Sequence, residues 1–203
     1  EVKVNKVSPS SGTAFTLGDS GDTFTVPSGA TIVNSGTATG FGGGKILQCV
    51  GMTKTDTIDF TTTSWTDLTD MTQTITMSAA SSKVLVMVSQ QTSGDDNGSA
   101  GRIMANVDGG AFAAIFIGDA SGSRTQCSFG LRGSSGGWEN SLITKSVTFL
   151  HSPTYDAGED LIYKVQWIRN YAGESNLNKS NADDDNVNYA NAASAITLME
   201  IGA

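Results

Sequence analysis

The sequence predicts an all-β protein, an antiparallel β-sandwich of the jelly-roll type. Composition is the first reason: of 203 residues only 16% are charged and 24 are glycine, while the Glu, Lys, Leu and Arg that favour long helices are scarce. The second reason is that about eight or nine strand-like runs follow one another at the spacing typical of sandwiches and barrels. Because no convincing helix lies between them, we expect two packed antiparallel sheets.

Residues 1–44 differ in composition from the rest and are interpreted as an extended stem. Two short β-like runs, residues 23–26 and 30–33, are separated by a Pro-Ser-Gly turn and followed by a stretch that ends in GFGGG, residues 40–44. A single hairpin of this kind is marginal in water. Since flexible linkers rarely alternate β-branched and aromatic residues, we expect this segment to become ordered only when several copies wrap together, with GFGGG as the hinge.

Residues 45–203 are expected to form the globular head. The run at 83–88 is apolar on both faces, which is typical of a central strand. The run at 161–168 alternates, with apolar side chains on one face and Lys164 and Gln166 on the other. The predicted strands lie within residues 45–54, 73–80, 83–90, 101–108, 111–119, 125–133, 143–152, 160–170 and 194–203.

The charge of the chain limits its partners. A formal net charge of −8 argues against nucleic acid, because binding to phosphates requires clustered Lys and Arg. The sequence contains no polybasic or amphipathic segment for a membrane surface, and no apolar run long enough to span a bilayer. We therefore expect neither a nucleic-acid partner nor membrane insertion.

Two acidic runs are candidate calcium sites. Asp183 and Asp185 belong to the run NADDDN, and Asp95 and Asp96 belong to GDDNG. Calcium takes six to eight oxygen ligands, although neither run has the spaced carboxylates and distal Glu of a calcium-binding loop, and solvated acidic loops are commoner. Calcium is therefore the one cofactor that the sequence leaves open.

Few residues are suited to other metals or to nucleophilic catalysis. His151 is the only histidine, which argues against a zinc site or a Ser-His-Asp triad, and it is interpreted as a satisfied histidine at a strand end. Cys49 and Cys127 lie in apolar or strand-like surroundings and are predicted to be reduced, buried thiols. Carboxylates that a glycosidase would need are present, but their spacing selects no pair. We expect no enzymatic activity.

Three long polar loops are expected to carry recognition, at residues 93–101, 132–141 and 171–192. Trp138 is the strongest candidate, because Glu139 and Asn140 beside it add polar groups to an apolar ring, as in sugar-binding surfaces. The alternative is that Trp138 packs against a neighbouring subunit. Tyr171 and Tyr189 flank the third loop and are weaker receptor-binding candidates.

Three stretches resemble tail fibres and related virion appendages of bacteriophages, a group most familiar from marine phages. They are residues 8–48, the pair SSKVLVMVSQ and IFIGDASGSRTQCSFGLRG, and the closing TLMEIGA after SPTYDAGEDLIYKVQW. The resemblance implies a homotrimer with a thin N-terminal stem and a β-sandwich head, and it brings no catalytic residue. A shared core between three copies also agrees with the apolar but unpaired N-terminal segment.

The leading hypothesis is a non-enzymatic structural protein of a phage virion, a trimeric tail fibre or spike that contacts the host surface. The expected partners are two further copies of the chain, other virion proteins through the stem, and a host-surface glycan or protein. One alternative is a capsid-decorating fibre or cement protein. A second alternative is an appendage enzyme that degrades polysaccharide.

Overall fold

The computed structural model describes residues 7–9, 11–31, 33, 45–94, 99–131, 141–170, 173–182 and 185–202. The chain divides into two compact units, Glu1–Phe41 and Gly42–Ala203. Every strand of the described residues belongs to the second unit, and none of these residues forms an α-helix.

The described part of the first unit consists of turns and irregular chain. Asp22 N–H donates to the Asp19 carbonyl at 3.0 Å, and Ala30 N–H donates to the Pro27 carbonyl at 3.1 Å. The β-like run at 23–26 is not a strand, because a strand needs a partner and the described residues offer none. Its apolar side chains remain in solvent: Phe24 is 67% exposed.

The second unit is built from eleven described strands. They are β1 (Ile46–Lys54), β2 (Ile58–Phe60), β3 (Thr66–Thr76), β4 (Lys83–Gly94), β5 (Ser99–Val107), β6 (Ala113–Ile115), β7 (Phe129–Gly130), β8 (Ile143–His151), β9 (Asp160–Arg169), β10 (Ser175–Leu177) and β11 (Ser194–Ile201).

The strands form two antiparallel sheets, so the expected all-β, sandwich-like class is confirmed. The first sheet has the order β1-β11-β4-β8 across its width. The short β10 pairs with the end of β4 on the same edge as β11, and β2 pairs with β10. The second has the order β3-β9-β5, with β6 and β7 sharing the free edge of β5. β4 has neighbours on both edges, which confirms the prediction of a central strand.

Both sheets contribute to one apolar core. The alternation predicted for β9 is confirmed, since Tyr163, Val165 and Trp167 are each fully buried in this core. The Trp167 ring meets Phe60 edge to face at 5.7 Å, and its Nε1–H donates to Oε1 of buried Gln90 at 3.3 Å. This hydrogen bond links the two sheets inside the core and satisfies the indole N–H.

Glu200 of β11 is a fully buried carboxylate held by uncharged donors. Its Oε2 accepts hydrogen bonds from Gln48 Nε2 at 2.6 Å, Ser78 N–H at 3.0 Å and Ser78 Oγ at 2.7 Å. Its Oε1 accepts from Ala79 N–H at 3.0 Å. Burial by itself raises the pKa of Glu200, but these four hydrogen bonds outweigh it and lower the pKa to about 2. Glu200 therefore fixes the β3–β4 connection to the first sheet.

Several predictions require correction. Cys49 and Cys127 are free thiols but are not buried: Cys127 is half-buried, and Cys49 is exposed because it occupies an outward position of β1. The strand predicted at 111–119 ends at Ile115, because Phe116 adopts a positive φ of 51° and stacks on Phe149 instead. The loop predicted at 93–101 is shorter, since β4 reaches Gly94 and β5 begins at Ser99.

Candidate functional site

Most of the predicted site residues lie outside the described residues. This applies to Trp138, Glu139, Asn140 and Tyr171 among the receptor-binding candidates, and to Asp183, Asp95 and Asp96 among the calcium candidates. Asp185 and Tyr189 are described, and they line the same groove. They are candidates for different reasons, a carboxylate for calcium and an aromatic ring for a receptor.

The groove lies in the connection between β10 and β11 and has a volume of about 290 Å³. Tyr189 is half-buried in its wall, while Asp185 is exposed. The surface of the groove is mostly polar, with amide, carboxylate, hydroxyl and phenol groups. The lining residues are Ser180, Ala182, Asp185, Asn186, Tyr189, Ala190 and Asn191. Such a surface is suited to a hydroxyl-rich ligand that hydrogen-bonds its edges and places one apolar face against a ring.

Asn178 anchors the first end of this connection. Its side chain is fully buried, and its Nδ2 donates to the carbonyls of Lys54 at 2.8 Å and Asp56 at 3.0 Å. Its Oδ1 accepts from Ser194 Oγ at 2.6 Å, which ties the two ends of the connection together. The residue has a φ of 63°, in the left-handed region that Asn tolerates better than most side chains.

Hydrogen bonds within the connection define the groove itself. Ser180 N–H donates to the Ala190 carbonyl at 3.1 Å, and Ala190 N–H donates back to Ser180 Oγ at 3.0 Å. Tyr189 N–H donates to the Asn186 carbonyl at 3.0 Å, and Asn188 N–H donates to Asn186 Oδ1 at 3.0 Å. The groove is therefore bounded by a pinned base and by a turn that Asn186 closes.

The base of the connection is also fixed to the first sheet. Ser93 Oγ of β4 donates to the Lys179 carbonyl at 2.7 Å, and both residues are buried. Lys179 Nζ forms an ion pair with Asp59 Oδ1 of β2 at 2.6 Å. Long loops are often mobile, but these contacts hold the groove on a rigid strand framework.

A second polar cluster lies on the outward face of the other sheet and was not predicted. Gln166 of β9 is its centre: its Oε1 accepts from Arg102 Nε at 2.9 Å and Nη2 at 2.7 Å, and its Nε2 donates to Asp67 Oδ1 at 2.7 Å. Lys164 Nζ donates to Asp67 Oδ2 at 2.7 Å. Burial raises the pKa of Asp67, but the hydrogen bonds from Lys164 and Gln166 outweigh it, so that the pKa is lowered.

Two aromatic rings cover the cations of this cluster. The Arg102 guanidinium lies 4.2 Å from the centre of the Trp65 ring, and Lys164 Nζ lies 3.8 Å from the centre of the Phe112 ring. The sequence indicates one part of this cluster, because the alternation in β9 places Lys164 and Gln166 on its polar face. Because each polar group already has a partner in the cluster, we interpret it as a structural cover of the sheet.

His151 pairs with a phenol, and its interpretation as a satisfied histidine is confirmed. Its Nδ1 lies 2.8 Å from the hydroxyl of Tyr163, which is fully buried, and the two rings meet edge to face. Burial lowers the pKa of His151 and raises that of Tyr163. The pair joins β8 of one sheet to β9 of the other.

Metal-ligand groups do not converge in the part of the chain that the structure describes, where no three His, Cys, Asp or Glu side chains approach one another closely enough to hold an ion. Asp185, the described carboxylate of the NADDDN run, is exposed in its groove. Across the described residues there is also no helix of the length and apolar character needed to cross a membrane.

The chain was compared with known proteins. No protein-family model matches it, and no curated protein sequence matches it.

Proposed function

We propose that this protein is a non-enzymatic structural component of a bacteriophage virion, a trimeric tail fibre or spike whose head binds a glycan on the host surface. The observation that carries the proposal is the groove between β10 and β11. It combines a half-buried tyrosine with amide and carboxylate groups on a connection that is pinned at its base. The sequence resemblance to phage appendages supplies the virion context.

The order of the strands supports a jelly roll as the architecture of the head. Eight positions across the two sheets are occupied in the order β1-β11-β4-β8 and β3-β9-β5-β6/β7. If β1, β3, β4, β5, β6/β7, β8, β9 and β11 are lettered B to I in chain order, the first sheet becomes B-I-D-G and the second C-H-E-F. This is the arrangement of two interlocked Greek keys. In such a fold the connections lie at the two ends of the sandwich, where they vary without disturbing the core.

The exposed apolar side chains of the first unit support the trimer. Phe15 is 50% exposed, Leu17 66% and Val33 81%, in a segment without strands among its described residues. Isolated apolar residues at a surface are ordinary, but several along one short segment favour burial against further copies. We propose that three such segments form the stem and attach the protein to other virion proteins.

The test is adsorption of the purified Tyr189→Ala protein to host cells. Loss of a ring that stacks on a sugar commonly costs about 2 kcal/mol, so binding of purified protein to host cells should weaken roughly 30-fold. Val187→Ala is the matched control, because Val187 is 98% exposed on the same connection but does not line the groove. The melting temperature of both variants should stay within a few degrees of the parent.

Three results would contradict the proposal in different ways. Unchanged adsorption of a folded Tyr189→Ala protein would exclude the groove as the receptor site. Immunogold labelling on the capsid shell rather than on the tail would favour the capsid-decorating alternative. Release of new reducing ends from host polysaccharide would favour the enzyme.

A further inference from the structure

The four long strands of the first sheet, β1, β11, β4 and β8, present an outward face that is almost free of charge. Val84, Val86 and Val88 of β4 point into the core, so the residues between them point outward. The same alternation identifies the outward positions of β1, β11 and β8. On these four strands, within the residues that the structure describes, the only charged side chain that points outward is Lys83, at the end of β4.

The strand register places four of the apolar side chains of this face in one row. Cys49 of β1 lies opposite Met199 of β11, Met199 lies opposite Leu85 of β4, and Leu85 lies opposite Leu150 of β8. Leu150 is 50% exposed and Cys49 is also exposed. The next row contains Gly, Thr, Met and Thr, which are small or uncharged.

The other sheet presents the opposite character to solvent. Its outward face carries Asp67, Arg102 and Lys164, engaged in the polar cluster described above. Two sheets of one sandwich therefore differ in charge although the whole chain has a net charge of −8. Copies of so acidic a chain repel each other on average, and this uncharged face lets them meet without opposing or burying charges.

We propose that this uncharged face is the contact between copies of the head, and that its occupant is the same face of neighbouring chains. The inference rests on the trimer of the proposed function and adds the surface through which the heads associate. Charge favours a second copy over an unrelated partner. A second copy brings the same uncharged face, so no charged group loses its hydration when the two faces meet.

The size of the face makes it a contact that adds to the association of the stem. With about 3.3 Å per residue along eight residues and about 4.8 Å between four strands, each copy offers about 500 Å². In a trimer each copy would divide this area between two neighbours, so each pairwise contact would bury about 500 Å² in total, which is below the usual range of specific interfaces, and the stem would supply the remaining contact.

Cys49 makes the proposal testable with the full-length chain. If heads meet on this face, Cys49 is covered in the assembly although it is exposed in the single chain. We would treat the protein with iodoacetamide and follow alkylation of the Cys49 and Cys127 peptides by mass spectrometry, with light scattering on the same samples. Cys127 lies outside the face and serves as the internal reference.

The variants are Leu150→Glu and Thr148→Glu. Thr148 is an exposed residue of the neighbouring row. Thr72→Glu is the matched control: Thr72 is also an exposed strand residue, but it lies on β3 of the other sheet. We expect Cys49 to be alkylated at least tenfold faster in both variants than in the parent and the control. The Cys127 rate should be the same in all four proteins.

The outcomes separate this inference from the proposed function. A parent protein that is a trimer by light scattering but whose Cys49 reacts as fast as in Leu150→Glu overturns the proposed surface and leaves the trimeric fibre standing. A parent protein that is a monomer overturns both. Loss of adsorption in Tyr189→Ala concerns the groove alone, and it has no bearing on Cys49.

Discussion

Replacement of Glu200 by Gln tests whether the buried carboxylate stabilises the head through its hydrogen bonds. In an unfolded chain this carboxyl group has a pKa near 4.5, and in the folded protein its pKa is about 2. The difference of about 2.5 in pKa corresponds to about 3 kcal/mol of folding free energy at neutral pH. The substituted amide would face the same donors with one oxygen fewer, so we expect Glu200→Gln to lose most of this stabilisation.

The pH dependence gives the prediction its sign. Because the folded-state pKa is the lower one, the unfolded chain binds the proton first as the pH falls. The stabilisation is therefore complete above about pH 5 and disappears between about pH 5 and pH 2. The free energies of unfolding of parent and variant should differ by about 3 kcal/mol at pH 7 and converge near pH 2.

Urea unfolding at one fixed chain concentration is the assay, since association would otherwise shift the apparent stability. Asp119→Asn is the control, because Asp119 is an exposed carboxylate with the same charge. A Glu200→Gln protein that loses no more stability than this control, or a difference that stays constant down to pH 2, would refute the role assigned to Glu200.

Two further predictions concern residues that join elements of the head. Burial lowers the pKa of His151, so the unfolded ring binds a proton first and the free energy of unfolding should fall as the pH drops below about 6.5. In His151→Gln the free energy of unfolding should depend less on pH in that range. An unchanged dependence on pH would show that other groups cause it. Asn178→Ala should cost about 2 kcal/mol or more by thermal melting, because it leaves buried carbonyl groups without donors. Asn178→Gly should cost less than Asn178→Ala because glycine accepts the φ of 63°, and equal losses would contradict that explanation.

The long strands could be predicted because their alternation is created by the core itself. In β4, β9 and β11 every second position is buried and many of these residues are apolar, and in β8 half-buried and exposed residues alternate. The first half of β3 could not be predicted in this way. Leu68 and Met71 are both buried although they are three residues apart, because the register shifts between Asp67 and Thr72, where Asp70 has a φ of 59°.

The short strands β2 and β10 escaped prediction for a different reason. Each has three residues and pairs with the other, and β10 also pairs with β4, so that tertiary contacts rather than local sequence define them. Cys49 shows the same limit at a single residue. Apolar residues surround it in the strand-like run, but its place in the strand register points it outward.

The candidate groove was partly predictable. Tyr189 stands out as an aromatic residue in an acidic, polar loop, and Asp185 belongs to a carboxylate run, so composition indicates both. The other wall depends on the hydrogen bonds between Ser180 and Ala190, which bring together residues ten positions apart. No local pattern in the sequence encodes that closure, because it depends on Asn178 being held against β1.

The groove and the uncharged face would together explain how weak recognition becomes firm attachment. A shallow polar groove binds a single glycan weakly, with a dissociation constant that we expect to be about 1 mM. A trimer that turns its uncharged faces toward one another carries three grooves on one rigid head. Linked sites gain about 10²–10⁴ in apparent affinity without any new contact. The expected consequence is that Leu150→Glu, which leaves each groove intact, lowers adsorption to glycan-coated surfaces while binding of a single soluble glycan stays unchanged.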